Sequence, residues 1–112
     1  MPTARLRIAS AQINPVVGDI SGNSELIQNA ITSAHSIGAH VLLFPEMAMT
    51  GYPVEDLALR PAFRSASIAA VSKIATWAKE AGAGEILIVL GYLDQGPEPQ
   101  NAVALKIGRA HV

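Results

Sequence analysis

Val41-Leu42-Leu43-Phe44-Pro45-Glu46-Met47-Ala48-Met49-Thr50-Gly51-Tyr52-Pro53 is the stretch on which the fold turns. Its first four residues are an unbroken apolar run closed by a proline, the pattern of a central parallel strand buried on both faces. Ligands of open α/β sheets bind where the strands end, so Glu46, just past the run, is the first candidate for chemistry. In sequence it stands among Phe44, Pro45, Met47 and Met49. An apolar setting of that kind disfavours the charged form of a carboxylate and suits a general base. Spacing alone leaves a second reading open, in which Glu46 occupies the first turn of a helix and is favoured there by the dipole's positive end.

Elements can be placed on both sides of this stretch. Residues 6–13 alternate loosely until Asn14 and Pro15 stop them, which predicts a first strand. After Gly18-Asp19 and Ser21-Gly22, Asn23 or Ser24 can cap a helix with Leu26, Ile27, Ala30, Ile31, Ala34 and Ile37 on one face, and Gly38 is its natural end. A second amphipathic helix is predicted over 64–81, with Ile68, Val71, Ile74, Ala75 and Ala78 inward, Pro61 at or just before its start and Gly82 after it. Residues 85–90 are a further strand ending at Gly91. Residues 102–105 are another, beyond the Gly96, Pro97 and Pro99 turn. The order β-α-β-loop-α-β-β defines an α/β class.

Composition narrows the function. The chain has 112 residues, half of them hydrophobic, with eight Lys plus Arg against nine Asp plus Glu. That is one domain's worth of core, with no basic field for nucleic acid. No apolar run approaches the ~18 residues of a membrane span and no signal segment is evident, so the expectation is a cytoplasmic protein with neither a nucleic-acid nor a membrane partner. Cysteine is absent, which removes disulfides, thiolate metal sites and any cysteine nucleophile supplied by these residues. His35 and His40 flank the Gly38 turn without a third ligand at suitable spacing, so no metal is expected. Gly82 and Gly84 follow a helix and precede a strand, the reverse of a phosphate loop. Trp77, Met47 and Met49 read as core filler.

The strand followed by Phe44-Pro45-Glu46 and Thr50-Gly51-Tyr52 resembles the first catalytic segment of the nitrilase, or carbon–nitrogen hydrolase, superfamily. Arg7-Ile8-Ala9-Ser10-Ala11-Gln12-Ile13-Asn14-Pro15, then Gly18-Asp19 and Asn23, is similar to that superfamily's first strand and loop. Gly51-Tyr52-Pro53-Val54-Glu55-Asp56-Leu57-Ala58-Leu59-Arg60-Pro61-Ala62-Phe63 resembles, more narrowly, the glutaminase domain of glutamine-dependent NAD⁺ synthetases. Taken singly, Glu55 and Asp56 read as exposed acids of a helical first turn and Arg60-Pro61 as a helix junction.

The resemblance implies part of a four-layer α-β-β-α nitrilase sandwich, of which this chain supplies the first strands and two covering helices. It also implies a Glu-Lys-Cys triad acting on the side-chain amide of glutamine through a thioester. The glutamate moves the proton and the lysine stabilises the oxyanion. Only Glu46 carries over as catalytic. Lys106 lacks the aromatic and basic neighbours of the family's lysine, and Lys73 and Lys79 belong to a covering helix. Tyr52 is a candidate for lining the glutamine pocket, with packing as its alternative role. No cofactor is expected in this segment. ATP and Mg²⁺ are expected at a separate synthetase domain that amidates deamido-NAD⁺, in a homo-oligomer. Residues 1–106 are thus read as the N-terminal portion of the hydrolase domain. Residues 107–112 depart from the family, and Ile-Gly-Arg-Ala-His-Val is the string that a common sequencing adapter, ATC GGA AGA GCA CAC GTC, would encode, so they are set apart as a candidate non-native tail. Two rivals remain: a portion of a stand-alone nitrilase-like amidase, and a non-catalytic binding or dimerising module.

Overall fold

The computed structural model describes residues 5–94, 100–107 and 110–111. In chain order the elements are β1 (Ile8–Ser10), α1 (Ile20–Ser36), β2 (Val41–Leu43), a 3₁₀ helix (Glu55–Leu59), α2 (Pro61–Glu80), β3 (Leu87–Asp94), β4 (Gln100–Ile107) and β5 (Ala110–His111). They form one mixed sheet in the order β1-β2-β3-β4-β5. β2 is parallel to both neighbours, with Ile8 opposite Val41 and Val41 opposite Leu87. β4 returns antiparallel along β3, and β5 along β4.

Both parallel connections are helical, and right-handed crossovers between successive strands put their helices on the same face. That face holds the core. Ile27, Ile31 and Ala34 of α1 and Val71, Ile74 and Ala78 of α2 repeat at three- and four-residue spacing and pack over Leu42, Ile88 and Leu90. Each helix ends in a Schellman pair: Ala39 N–H bonds the Ala34 carbonyl at 2.9 Å, and Ala83 N–H bonds that of Ala78 at 2.8 Å. These contacts satisfy carbonyls that the helix ends would otherwise orphan.

The second face differs from expectation. The run beginning at Val41 is central and parallel, but Leu43 is 38% exposed and Ile8 57%. Among the described residues the sheet is covered by helices on one side only, and an apolar stripe of Ile8, Val41, Leu43, Leu87 and Val89 lies along the other.

Other boundaries move as well. β1 is limited to three residues because that is the length of β2 it can pair with, although Ala11 N–H still reaches the Leu43 carbonyl at 2.8 Å. The cap of α1 is Asp19, not Asn23 or Ser24, and its carboxylate accepts from Gly22 N–H at 3.0 Å. α2 starts at Pro61 as its first residue, where a missing N–H costs nothing. β3 does not stop at Gly91 but continues to Asp94, held by the β4 ladder. The predicted turn at Gly96, Pro97 and Pro99 lies outside the described residues, as do Gly108, Arg109 and Val112 of the tail.

Candidate active site

β2 hands the chain to a tight turn over residues 46–50. Two hydrogen bonds fix the entry: Ala11 N–H to the Leu43 carbonyl, and Phe44 N–H to the Val89 carbonyl at 3.0 Å. Gly51 N–H then closes the turn on the Met47 carbonyl at 2.9 Å. Within it Met47 has a φ of 53°, a left-handed conformation that is uncommon for any residue with a side chain and is held only where surroundings over-determine it.

The surroundings do so from two sides. A Cβ built on Gly91 would lie 2.8 Å from the Met47 nitrogen, so β3 presses backbone to backbone against the Glu46–Met47 peptide. A Cβ built on Gly51 (φ 76°) would lie 2.7 Å from the nitrogen and Cα of Val17, so the loop after β1 presses on the far end of the turn. Gly18 N–H bonds the Thr50 carbonyl at 2.9 Å and Met49 N–H reaches that of Gly91 at 3.4 Å.

This geometry sorts the side chains. Met47, Ala48, Met49 and Thr50 are buried, while Glu46 turns outward and is exposed. The apolar setting expected around Glu46 is therefore not formed in this chain, since Met47 and Met49 are buried and Phe44 packs against the core. The helical alternative is not realised either: residues 46–50 are a turn, and the next helical segment starts at Glu55. Tyr52 follows Gly51 in the same connection and is 72% exposed, so it does not pack here. The structure thus places Glu46 and Tyr52 on the surface on either side of one buried turn. Met47 and Met49 are core, as read, and Trp77 packs against it.

Asn23 is the residue whose role sequence reasoning missed. It is fully buried in the first turn of α1. Its Oδ1 accepts from Val16 N–H at 2.8 Å, and its Nδ2 donates to the carbonyls of Val16 at 2.8 Å and Met49 at 3.0 Å. Asn is a poor helix former, and its presence inside a helical pattern was the available signal. The exit of the turn is held by Met47, Val54 and Leu93, with Leu57, Ala58 and Phe63 around them. Buried Ser67 of α2 accepts from Leu93 N–H at 3.2 Å.

The remaining sequence candidates lie elsewhere. His40 ties two strands together, its Nδ1 accepting from Arg7 N–H at 2.9 Å. A groove of about 410 Å³ runs between β1 and α1, lined by Ala9, Ala11, Leu26 and Ala30 among others, and neither Glu46 nor Tyr52 borders it. Among the described residues no group of three or more His, Cys, Asp or Glu side chains is arranged for a metal, and no helix is long and apolar enough to cross a membrane.

An exposed carboxylate thus stands just past the carboxyl end of a central parallel strand, on a turn braced by backbone contacts. The sequence matches the carbon–nitrogen hydrolase family over residues 7–107, and the chain belongs to that family. A crystal structure of a glutamine-dependent NAD⁺ synthetase from Cytophaga hutchinsonii superposes with a TM-score of 0.84 at 28% identity, over 95% of this chain and 18% of that one. An amidase of the nitrilase superfamily from Nesterenkonia superposes at 0.81 with 25% identity, over 96% and 40%. The curated glutamine-dependent NAD⁺ synthetase of Thermotoga maritima is 35% identical over 101 residues, 90% of this chain. The chain spans 17% of the length of that relative.

Proposed function

We propose that this chain is the N-terminal portion of a glutaminase domain that supplies ammonia to a glutamine-dependent NAD⁺ synthetase, and that Glu46 is its proton-transfer group. The observation that carries the reading is the placement of Glu46: an exposed carboxylate immediately past a central parallel strand, in a chain of the carbon–nitrogen hydrolase family. The similarity to glutamine-dependent NAD⁺ synthetases rather than to amidases alone supports glutamine as the amide.

In the proposed reaction Glu46 takes the proton of a cysteine thiol as the sulfur attacks the side-chain amide carbon of glutamine. A lysine stabilises the oxyanion, Glu46 returns the proton to the departing nitrogen, and ammonia leaves. Water, deprotonated by Glu46, then cleaves the thioester to glutamate and free thiol. The 112 residues contain no cysteine, so the thiol comes from another part of the complete protein. Tyr52, exposed beside the turn, lines the glutamine pocket in this reading.

ATP and Mg²⁺ belong in this reading to a synthetase domain that amidates deamido-NAD⁺ to NAD⁺. The described residues offer no donor set for the metal, and no step above passes through either group. The complete enzyme is proposed to be a cytoplasmic homo-oligomer. A stand-alone amidase is the second reading, favoured by the likeness to the Nesterenkonia enzyme.

The test is NAD⁺ formation by the complete protein with glutamine or with ammonia. Glu46→Gln keeps the shape and removes the base, so glutamine-driven synthesis falls by about 10²-fold or more, the usual share of a positioned acid–base group, while ammonia-driven synthesis survives. Equal loss with both donors in a folded protein makes Glu46 structural. A wild type that hydrolyses simple amides and forms no NAD⁺ favours the amidase.

A further inference from the structure

We infer that Asn23 is a positioning residue for Glu46, setting the height of the turn that carries it; the inference rests on the assignment of Glu46 as the proton-transfer group. Asn23 lies outside the motif that identifies the site, on a different element, and its side chain is fully buried. A carboxamide has two N–H donors and one oxygen acceptor. Here both donors and the acceptor are used on backbone groups: Val16 N–H and both carbonyls, of Val16 and Met49. The amide takes the place a neighbouring strand's peptide group would hold beside Val16, and its second donor crosses to the turn three residues beyond Glu46. The next helical residue repeats the link, with Ser24 Oγ 3.3 Å from the Met49 sulfur.

No other side chain reproduces this pattern. Aspartate has the same shape but turns two donors into acceptors that face two carbonyls. Alanine leaves the part-buried Val16 N–H and carbonyl and the buried Met49 carbonyl without the partner they have here. Gly91 and Gly51 stop the turn moving inward toward β3 or Val17, and the backbone bonds from Gly18 N–H to Thr50 and from Met49 N–H to Gly91 hold its later residues to the loop and to β3. Asn23 acts in the other sense and draws the Met49 carbonyl toward the helix. With the tie gone, the left-handed residue at 47 is the joint about which the turn relaxes, and Glu46 is its immediate neighbour.

The consequence is a change in catalysis rather than in binding. In the complete protein, Asn23→Asp lowers kcat for glutamine hydrolysis by about 10²-fold, the cost of a displacement near 1 Å at a reacting group, and leaves KM for glutamine within about threefold. Ammonia-driven NAD⁺ formation is unchanged and reports that the protein is folded. The decisive measurement is a double-mutant cycle with Glu46→Gln. If Asn23 works through Glu46, adding Asn23→Asp to Glu46→Gln lowers glutamine hydrolysis by less than about threefold more. A full multiplicative loss in the double variant, a rise in KM with kcat intact, or no effect of Asn23→Asp overturns the proposal while leaving Glu46 assigned. A harmless Glu46→Gln overturns the assignment itself and the proposal with it. Should Asn23→Asp lose the ammonia-driven reaction as well, Asn23→Ser, which keeps one donor and no charge, is carried through the same cycle and read by the same outcomes.

Discussion

Gly91→Ala tests the contact that most directly fixes the turn that carries Glu46. The added methyl carbon would lie 2.8 Å from the Met47 nitrogen and 3.6 Å from both the Glu46 carbonyl carbon and Met47 Cα. Ordinary van der Waals separations begin near about 3.5 Å, so strand and turn must part by roughly 0.7 Å. Neither yields readily. Gly91 lies within the β3–β4 ladder opposite Val103, and Met47 anchors the hydrogen bond to Gly51 N–H. Both atoms are backbone, so no rotamer change absorbs the overlap, and overpacking of this kind costs about 1–3 kcal/mol. Part of this roughly 0.7 Å falls on the peptide that bears Glu46, and since a misplacement of about 1 Å at a reacting group costs about 10²-fold, turnover falls by up to about 10-fold. Urea unfolding of the complete protein should show a lower midpoint at unchanged slope, together with slower glutamine hydrolysis. Gly82→Ala is the control: its φ is 84°, but the nearest atom to a new Cβ is 3.9 Å away, at His35 Nε2. It costs about 1 kcal/mol of backbone strain with activity intact. If Gly91→Ala loses less than about 0.5 kcal/mol and hydrolyses glutamine normally, the turn is not braced by β3.

At Met47 the usual ranking of small residues should invert: Met47→Gly is more stable than Met47→Ala by about 1 kcal/mol, because glycine accepts the left-handed backbone and both lose the same packing against Val54 and Leu93. Thermal melts of the two variants check it, and alanine at or above glycine refutes the strain. Purified chain of these 112 residues should release no ammonia from glutamine, having no thiol; turnover abolished by Glu46→Ala would refute the covalent mechanism. The same chain should self-associate and melt without a sharp transition, because the stripe from Ile8 to Val89 is uncovered. A monomer with a two-state transition in sedimentation and calorimetry would show that one covered face suffices.

The alternation of strands and helices was legible because Gly, Pro and apolar period mark it locally: Gly38 and Gly82 follow the helices, and Pro61 opens α2. Its boundaries were not, because β1 is as long as its partner and no longer. Gly91 was read as the end of a strand, whereas a glycine inside a strand often marks close backbone approach, and the turn it meets is remote in sequence. The surroundings of Glu46 are hidden from the sequence for the same kind of reason. Met47 and Met49 flank it in sequence, but a left-handed residue at 47 sends them inward and the carboxylate outward. Asn23 could be read as a cap, since its type favours caps; that Asp19 already holds that post, and that two carbonyls from different loops converge on its amide, are facts of tertiary structure.

The braces on the turn are made by main-chain atoms and by groups hidden from solvent, whereas the side chains around its mouth are not. Val16 is 59% exposed, Val17 43% and Tyr52 72%, and each is attached to a segment whose backbone is already immobilised. Substitution at these three positions therefore alters the surface of the turn and its neighbouring loop without shifting the backbone that carries Glu46. Under the proposed reading, proton transfer and substrate choice are then separable, and a library varied at Val16, Val17 and Tyr52 can be screened for new amides in the complete protein while Glu46 keeps its place.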